Sequence, residues 1–406
     1  MKKFRREEGT SKQHVEYITM FKAYRYRIKP DPEQIQLLEN SFGCARFIYN
    51  HFLELKISLY ASGKQKLSKY DMDAKLRSLK EEHSWLKEVN SQSLQAVTMN
   101  LDSAFGRFFK EKKGFPKFKS KKFSKPSFMN PQFCVVDFES NTISIPKAKK
   151  IKAVLHRKFD GKVKSITISK SAVGKYYASV LVETEEQIPD KPELNKERAI
   201  GIDLGLTHFA ITSEGEKTNN PRFLRKSEER LKRKQRRFSR MTKGSNNQSK
   251  QRVRLAKLHE KVSNQRKDFL HQVSHKLVNE NQVDVLCIED LNTSGMIRNR
   301  KLAKSISDVG WGMFRSFLAY KCDWNGKWLL DIGRFEPSSK TCSVCGYVNR
   351  ELKLKDRVWT CPCGAVHDRD VNAAINIKEM AFNRQNLMRF IGLGQAESTP
   401  VEMLGC

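Results

Sequence analysis

Residues 198–216 read RAIGIDLGLTHFAITSEGE. An apolar run broken at Gly205 and resumed by a second apolar run predicts strand, tight turn, strand: a β-hairpin that opens a mixed α/β domain. Downstream, VDVLCIED (283–290) is a continuous apolar run of strand length, the pattern of a strand buried on both faces. SISDVGWGMFRSFLAYKCDW (305–324) carries an apolar stripe at helical spacing, KWLLDIGRF (327–335) reads as another strand, and AAINIKEMAFNRQNLMRFI (373–391) as a helix. Upstream, Pro189, Lys191, Pro192 and Asn195 mark a linker, which places the domain start near Lys196.

Before the linker, residues 132–186 switch to period two in FCVVDF, TISIP, IKAVLH, VKSITISK and YYASVLVE, as in a small antiparallel barrel or sheet. FKAYRYRIKP (21–30) is a strand ended by Pro30, and residues 32–109 are helical with a break at Ser62 and Gly63. The polar leader before Met20 reads as a flexible arm or an upstream start, and the last residues as a loose tail.

The chain of 406 residues has 77 Lys and Arg against 45 Asp and Glu, a net charge of +32, so its partner is expected to be polyanionic. Two stretches concentrate that charge. RFFKEKKGFPKFKSKKFSK (107–125) interleaves nine basic residues with phenylalanines, a composition that grips phosphates and stacks bases, and Gly114 and Pro116 prevent a regular helix. Lys117 and Lys119 are its candidate contacts. RKSEERLKRKQRRFSR (225–240) is a basic helix, with a second from about Gln251 to Asn279, and Arg233, Arg236 and Arg237 are candidates on the first. No stretch is apolar enough for a membrane span, and scattered plus clustered cysteines suit a reducing, cytoplasmic setting.

Two constellations carry chemistry. Asp203 in GIDLGL, Glu289 at the end of VLCIED and Asp370 in HDRDVNAA stand at the edges of elements in one domain. Hard carboxylate oxygens suit magnesium, and two such ions about 3.5–4 Å apart are the pair that hydrolyses phosphodiesters. Read singly, Asp368 or Asp370 would instead cap the following helix. The second constellation is Cys342, Cys345, Cys361 and Cys363, each pair followed at once by Gly346 or Gly364, the pattern of a zinc ribbon binding one structural Zn2+. Its second pair has one intervening residue rather than two, and His367 lies near enough in sequence to replace one thiolate.

GIDLGLTHFA, IEDLN, SISDVGWGMFRSFLAYK, EPSSKTCSVCG and HDRDVNAAINI, with GCARFIYNHFLE and GFPKFKSKK in the first half, resemble TnpB, the transposon-encoded RNA-guided nuclease family related to type V CRISPR effectors. The likeness implies a multidomain α+β chain: a wedge β-barrel (20–30 and 126–195) interrupted by a helical recognition insertion (31–125), then an RNase H-like, RuvC-type nuclease domain (196–334 and 367–385) interrupted by a zinc-binding module (335–366), with leader 1–19 and tail 386–406 outside them. It implies catalysis by Asp203, Glu289 and Asp370 with two Mg2+, a zinc site of the four cysteines, a guide RNA from the transposon end, and target double-stranded DNA bearing a short adjacent motif that Gln95 would read. It also allows a separate transposase encoded alongside. Two rivals stay open at this point: a non-catalytic zinc-containing nucleic-acid-binding regulator, and an RNA-independent RNase H-like nuclease or transposase.

Overall fold

The computed structural model describes residues 19–63, 65–334, 336–353 and 355–390, with side chains as far as 385. The expected leader up to Ile18 and the end of the expected tail, from 391, lie outside the described residues. The chain divides into two compact units, one built on residues up to 119 with 128–168 and 178–188, the other on 120–127, 169–177 and the residues from 189 onward.

In the first unit β1 (Thr19–Lys29) leads into three helices, α1 (Pro32–Gly63), α2 (Lys69–Glu82) and α3 (Ser91–Lys110). In α1, Leu38, Phe42, Ala45, Ile48, Phe52 and Leu53 recur at helical spacing and are buried. Ser68 and Asp71 form a reciprocal capping box on α2, and the Asn90 side chain caps α3. The strands that follow are β2 (Ser127–Asn130), β3 (Val135–Asp137), β4 (Thr142–Ile145), β5 (Ala148–Val154), β6 (Lys162–Lys170) and β7 (Tyr176–Gln187). With β1 they make a seven-stranded sheet in the order β2-β6-β7-β1-β5-β4-β3. Alternation in β7, where Tyr176, Ala178, Val180 and Val182 are buried, shows one face against the core.

The second unit opens with β8 (Ala199–Leu204), β9 (His208–Thr212) and β10 (Lys217–Asn219), then α4 (Phe223–Ser239) and α5 (Asn246–His275), which ends in a π turn. After β11 (Val285–Glu289) come α6 (Thr293–Met296), α7 (Ala303–Val309), α8 (Trp311–Trp324) and β12 (Trp328–Ile332). The hairpin β13 (Val358–Thr360) and β14 (Val366–Asp368) precedes α9 (Arg369–Phe390). Five strands form a mixed sheet, β10-β9-β8-β11-β12, with β8 and β9 antiparallel and β11 parallel to both β8 and β12. Ile200, Ile202, Leu204, Leu286 and Ile288 pack with Leu270, Phe314 and Leu318 on one face. Ala199, Val285, Cys287 and Ile332 pack with Ile377 and Ala381 of α9 on the other. Helices on both faces explain why β11 is a continuous apolar run.

Several sequence expectations need correction. The single helix expected over 305–324 is two, because Gly310 adopts φ +76 between α7 and α8. The helical pattern read to Phe109 holds, with α3 running to Lys110, so the first residues of the basic segment 107–125 lie in that helix and its irregular part follows them. The strands β2, β10, β13 and β14 are too short to show a period, while α9, which runs to Phe390, agrees with the helix read over 373–391 and so overlaps the first five residues assigned to the tail.

Candidate active site and metal centre

Strand parity aims the carboxylates. β8 and β11 pair in parallel with Ile202 opposite Ile288, so one step further Asp203 stands beside Glu289. Both share the parity of Ala199, Val285 and Cys287, the face that α9 covers. Asp370 lies in the first turn of that helix. The close seating depends on Gly201: a Cβ there would stand 1.9 Å from the Ala374 carbonyl oxygen of α9. Asp368, not Asp370, caps α9, its carboxylate accepting from the N–H of Asp370 (3.0 Å) and Val371 (3.1 Å).

Asp203 feels both its burial and the other two carboxylates. Burial first, then the negative charges of Glu289 and Asp370, push the Asp203 carboxyl from 3.8 up to about 7. Two further residues, Ser338 within EPSSKTCSVCG and Arg357 outside any motif, tie the cysteine-bearing segment to these groups. The Ser338 hydroxyl donates to Glu289 Oε1 at 2.6 Å, and Arg357 Nη1 donates to both Asp370 oxygens at 3.2 Å. Convergent oxygen donors carrying mutually repelling charge fit a hard divalent cation such as magnesium.

The four cysteine sulfurs lie within 4.8 Å of one another, with Cys345 and Cys361 at 3.5 Å and Cys342 and Cys363 at 3.9 Å. Tetrahedral zinc with bonds of about 2.3 Å holds its sulfurs about 3.8 Å apart, so the cluster has the size of a Cys₄ site. The short second pair closes by a tighter turn. Gly346 N–H donates to the Cys342 carbonyl four residues back, whereas Gly364 N–H reaches Cys361, three back, and both glycines hold positive φ. The thiols also pull each other apart in acidity. Against the opposing effect of burial, backbone N–H groups of Cys345 and Val344 and the His367 imidazole hold the Cys342 thiol down to about 6, while burial pushes Cys361 up to about 12. Four sulfurs this close together are a donor set that a soft-tolerant dication completes. Cys44, Cys287 and Cys322 are buried singly and remain core residues.

Of the candidate nucleic-acid contacts, Arg233, Arg236 and Arg237 are exposed on α4 at helical spacing and, with Arg240 and Lys232, line one shallow concavity. The amide of buried Gln251 holds α5 to α4 by donating to the Lys234 carbonyl at 3.2 Å. Gln95 is exposed on α3. Lys117 is exposed, but Lys119 is partly committed: its Nζ lies 4.1 Å from the centre of the Tyr49 ring, and Asn50 clamps its backbone with two 2.8 Å hydrogen bonds.

Residues 179–300 match a family model described as "Probable transposase", residues 311–377 one described as "Cas12f1-like, TNB domain" and residues 20–65 one described as "Helix-turn-helix domain". A Streptomyces pristinaespiralis protein, "Putative RNA-guided DNA endonuclease", is 38% identical over 88% of this chain and 88% of its own length. The chain belongs to the TnpB family of RNA-guided DNA endonucleases. A second relative, "Putative RNA-guided DNA endonuclease InsQ" of Escherichia coli (strain K12), is 31% identical over 87% of this chain and 91% of its own. Among solved structures, that described as "Cryo-EM structure of the Cas12f1-sgRNA-target DNA complex" is 13% identical and covers 89% of this chain and 99% of its own, with a TM-score of 0.48. In this TnpB-family chain, residues 20–65 form β1 and the single long α1, rather than two helices about a turn.

Proposed function

We propose that this chain is an RNA-guided DNA endonuclease of a transposon, cutting target DNA at Asp203, Glu289 and Asp370. The observation that supports the site assignment is the placement of Asp203 and Glu289 on adjacent strands facing α9, whose first turn carries Asp370, with Asp203 raised to about 7 by burial and by the charges of the other two. Two magnesium ions, when bound there, supply an activated water and stabilise the leaving oxygen of the scissile phosphate. The protein's own residues set the stage for that chemistry. β8 and β11 hold two carboxylates side by side, α9 brings the third, Ser338 orients Glu289, and Arg357 balances Asp370. Zinc would be held by Cys342, Cys345, Cys361 and Cys363, fixing the segment that carries Ser338 and Arg357.

Sequence specificity then comes from base pairing by a guide RNA from the transposon end, and the protein supplies basic surfaces for the backbones. Arg233, Arg236 and Arg237 on α4, with Lys117 and Lys119 in the basic segment, suit phosphates. In this reading α1 to α3 form the recognition insertion and the seven-stranded sheet the wedge. Gln95 reads the adjacent duplex motif, because an amide bonds an adenine edge bidentately. A separate transposase would act on the same element.

The test is to purify the protein with its flanking DNA expressed, sequence the co-purifying RNA, and assay magnesium-dependent cleavage of a matching target library with Asp203→Ala as control. A defined RNA and cleavage that Asp203→Ala abolishes while RNA binding persists support the reading. Binding without any metal-dependent cleavage favours the regulator. Cleavage of transposon-end or branched DNA by RNA-free protein favours the RNA-independent nuclease.

A further inference from the structure

Beside the cysteine cluster stands a fifth polar group. His367 is buried in β14, with Nε2 3.1 Å from Cys342 Sγ. Among the described residues, the group whose donor atoms all lie within 4.8 Å of one another comprises the four cysteines, and the imidazole is outside it. The ring is not free to swing in. His367 faces Trp359 directly across the β13–β14 ladder, ring centres 4.9 Å apart, and both side chains occupy the inner face while Val358, Thr360 and Val366 are exposed.

The need for a donor at this place follows from burial. A dication with four thiolates keeps net negative charge on its sulfurs. Water reaches Cys345 and Cys363, which are exposed, but not Cys342 or Cys361, which are 1% and 3% exposed. The backbone N–H groups of Cys345 and Val344 already face the Cys342 sulfur, and with water excluded a buried, charged acceptor gains from each further donor, which at Cys342 is the adjacent imidazole. We propose that His367 is a positioning residue of the zinc centre rather than a ligand, its Nε2–H donating to the Cys342 sulfur. The inference rests on the zinc reading above. It also gives His367 a place in the architecture of the nuclease site, since β14 runs directly into α9 and Asp370 follows three residues later.

The experiment titrates metal-free full-length protein with Co2+, reading thiolate-to-cobalt charge-transfer bands, and measures zinc affinity by chelator competition. Wild type, His367→Phe and His367→Gln are compared, with folding checked by far-UV circular dichroism. Phenylalanine keeps a ring against Trp359 without a donor, and glutamine restores an N–H near the Nε2 position. The expected result is a tetrathiolate spectrum in all three, zinc affinity about 10–100-fold weaker in His367→Phe with its charge-transfer band moved to lower energy, and recovery of both in His367→Gln. A wild-type spectrum of three thiolates and one nitrogen, or unchanged affinity and band position in His367→Phe, overturns the proposal. Absence of any thiolate band in wild type overturns the zinc reading itself.

Discussion

At Asp203 the physics is a contest between burial with like charge, which favours the proton, and a cation, which favours its loss. The folded carboxyl at about 7 lies above its ordinary 3.8, so without metal the folded state binds this proton more tightly. The stability it contributes is fully present below pH 3.8 and is lost as pH rises from there through about 7. At the proposed site, magnesium would have to displace the same proton. We therefore expect the magnesium-induced rise in Tm to be larger at pH 8 than at pH 6, and calorimetry in two buffers to show proton release at pH 6 that vanishes near pH 9. Asp203→Asn removes one of three repelling charges: it should keep or raise the metal-free Tm and erase the magnesium response, measured by thermal melts with and without the ion. Arg357 balances Asp370 in a half-exposed pair of modest strength, so Arg357→Ala should tighten magnesium only a few-fold, read by the same calorimetry. The three acids are visible in the sequence because each closes or opens an element. The roles of Arg357 and Ser338 are not, since their partners lie 13 and 49 residues away and only the folded cysteine-bearing segment brings them near.

At the level of elements, the contact between β8 and α9 positions the third carboxylate, and Gly201 permits it. Gly201→Ala puts a methyl group on the Ala374 carbonyl, so the helix must retreat. Overpacking of this kind costs about 1–3 kcal/mol, and chemical denaturation should show that loss together with weakened magnesium binding, whereas Gly43→Ala in α1, where a Cβ meets nothing within 4 Å, should not destabilise comparably. The hairpin β8–β9, strand β11 and helix α9 are readable from the sequence because their burial is periodic or continuous. What the sequence conceals is set by single residues or by distant pairing: the break at Gly310, the three-residue strands of the zinc hairpin, and the choice of Asp368 over Asp370 as the cap of α9. Asp368 and Asp370 have the same local signature, and only the folded hydrogen bonds show that Asp368 is the cap while Asp370 faces Arg357.

Across the whole molecule, a charge of +32 makes nucleic-acid binding a matter of counterion release. The logarithm of affinity should fall steeply and linearly with the logarithm of salt. Replacing Arg236 and Arg237 with Ala should reduce that slope by about one for each phosphate no longer neutralised, read by filter binding from low to physiological salt, without changing which target is chosen. Composition makes the polyanion partner evident, but not which strand each arginine touches, because phosphate contacts carry no sequence information. The central claim is that RNA addresses the cut and that Asp203, Glu289 and Asp370 make it. The most direct measurement replaces the guide end of the co-purified RNA with a new sequence and maps cleavage on plasmids bearing the old or the new target, with wild type and Asp203→Ala. We predict that the cut moves to the new target, requires magnesium and disappears in Asp203→Ala. Cleavage that stays at one DNA sequence whatever the RNA, or that survives loss of Asp203, would contradict the account.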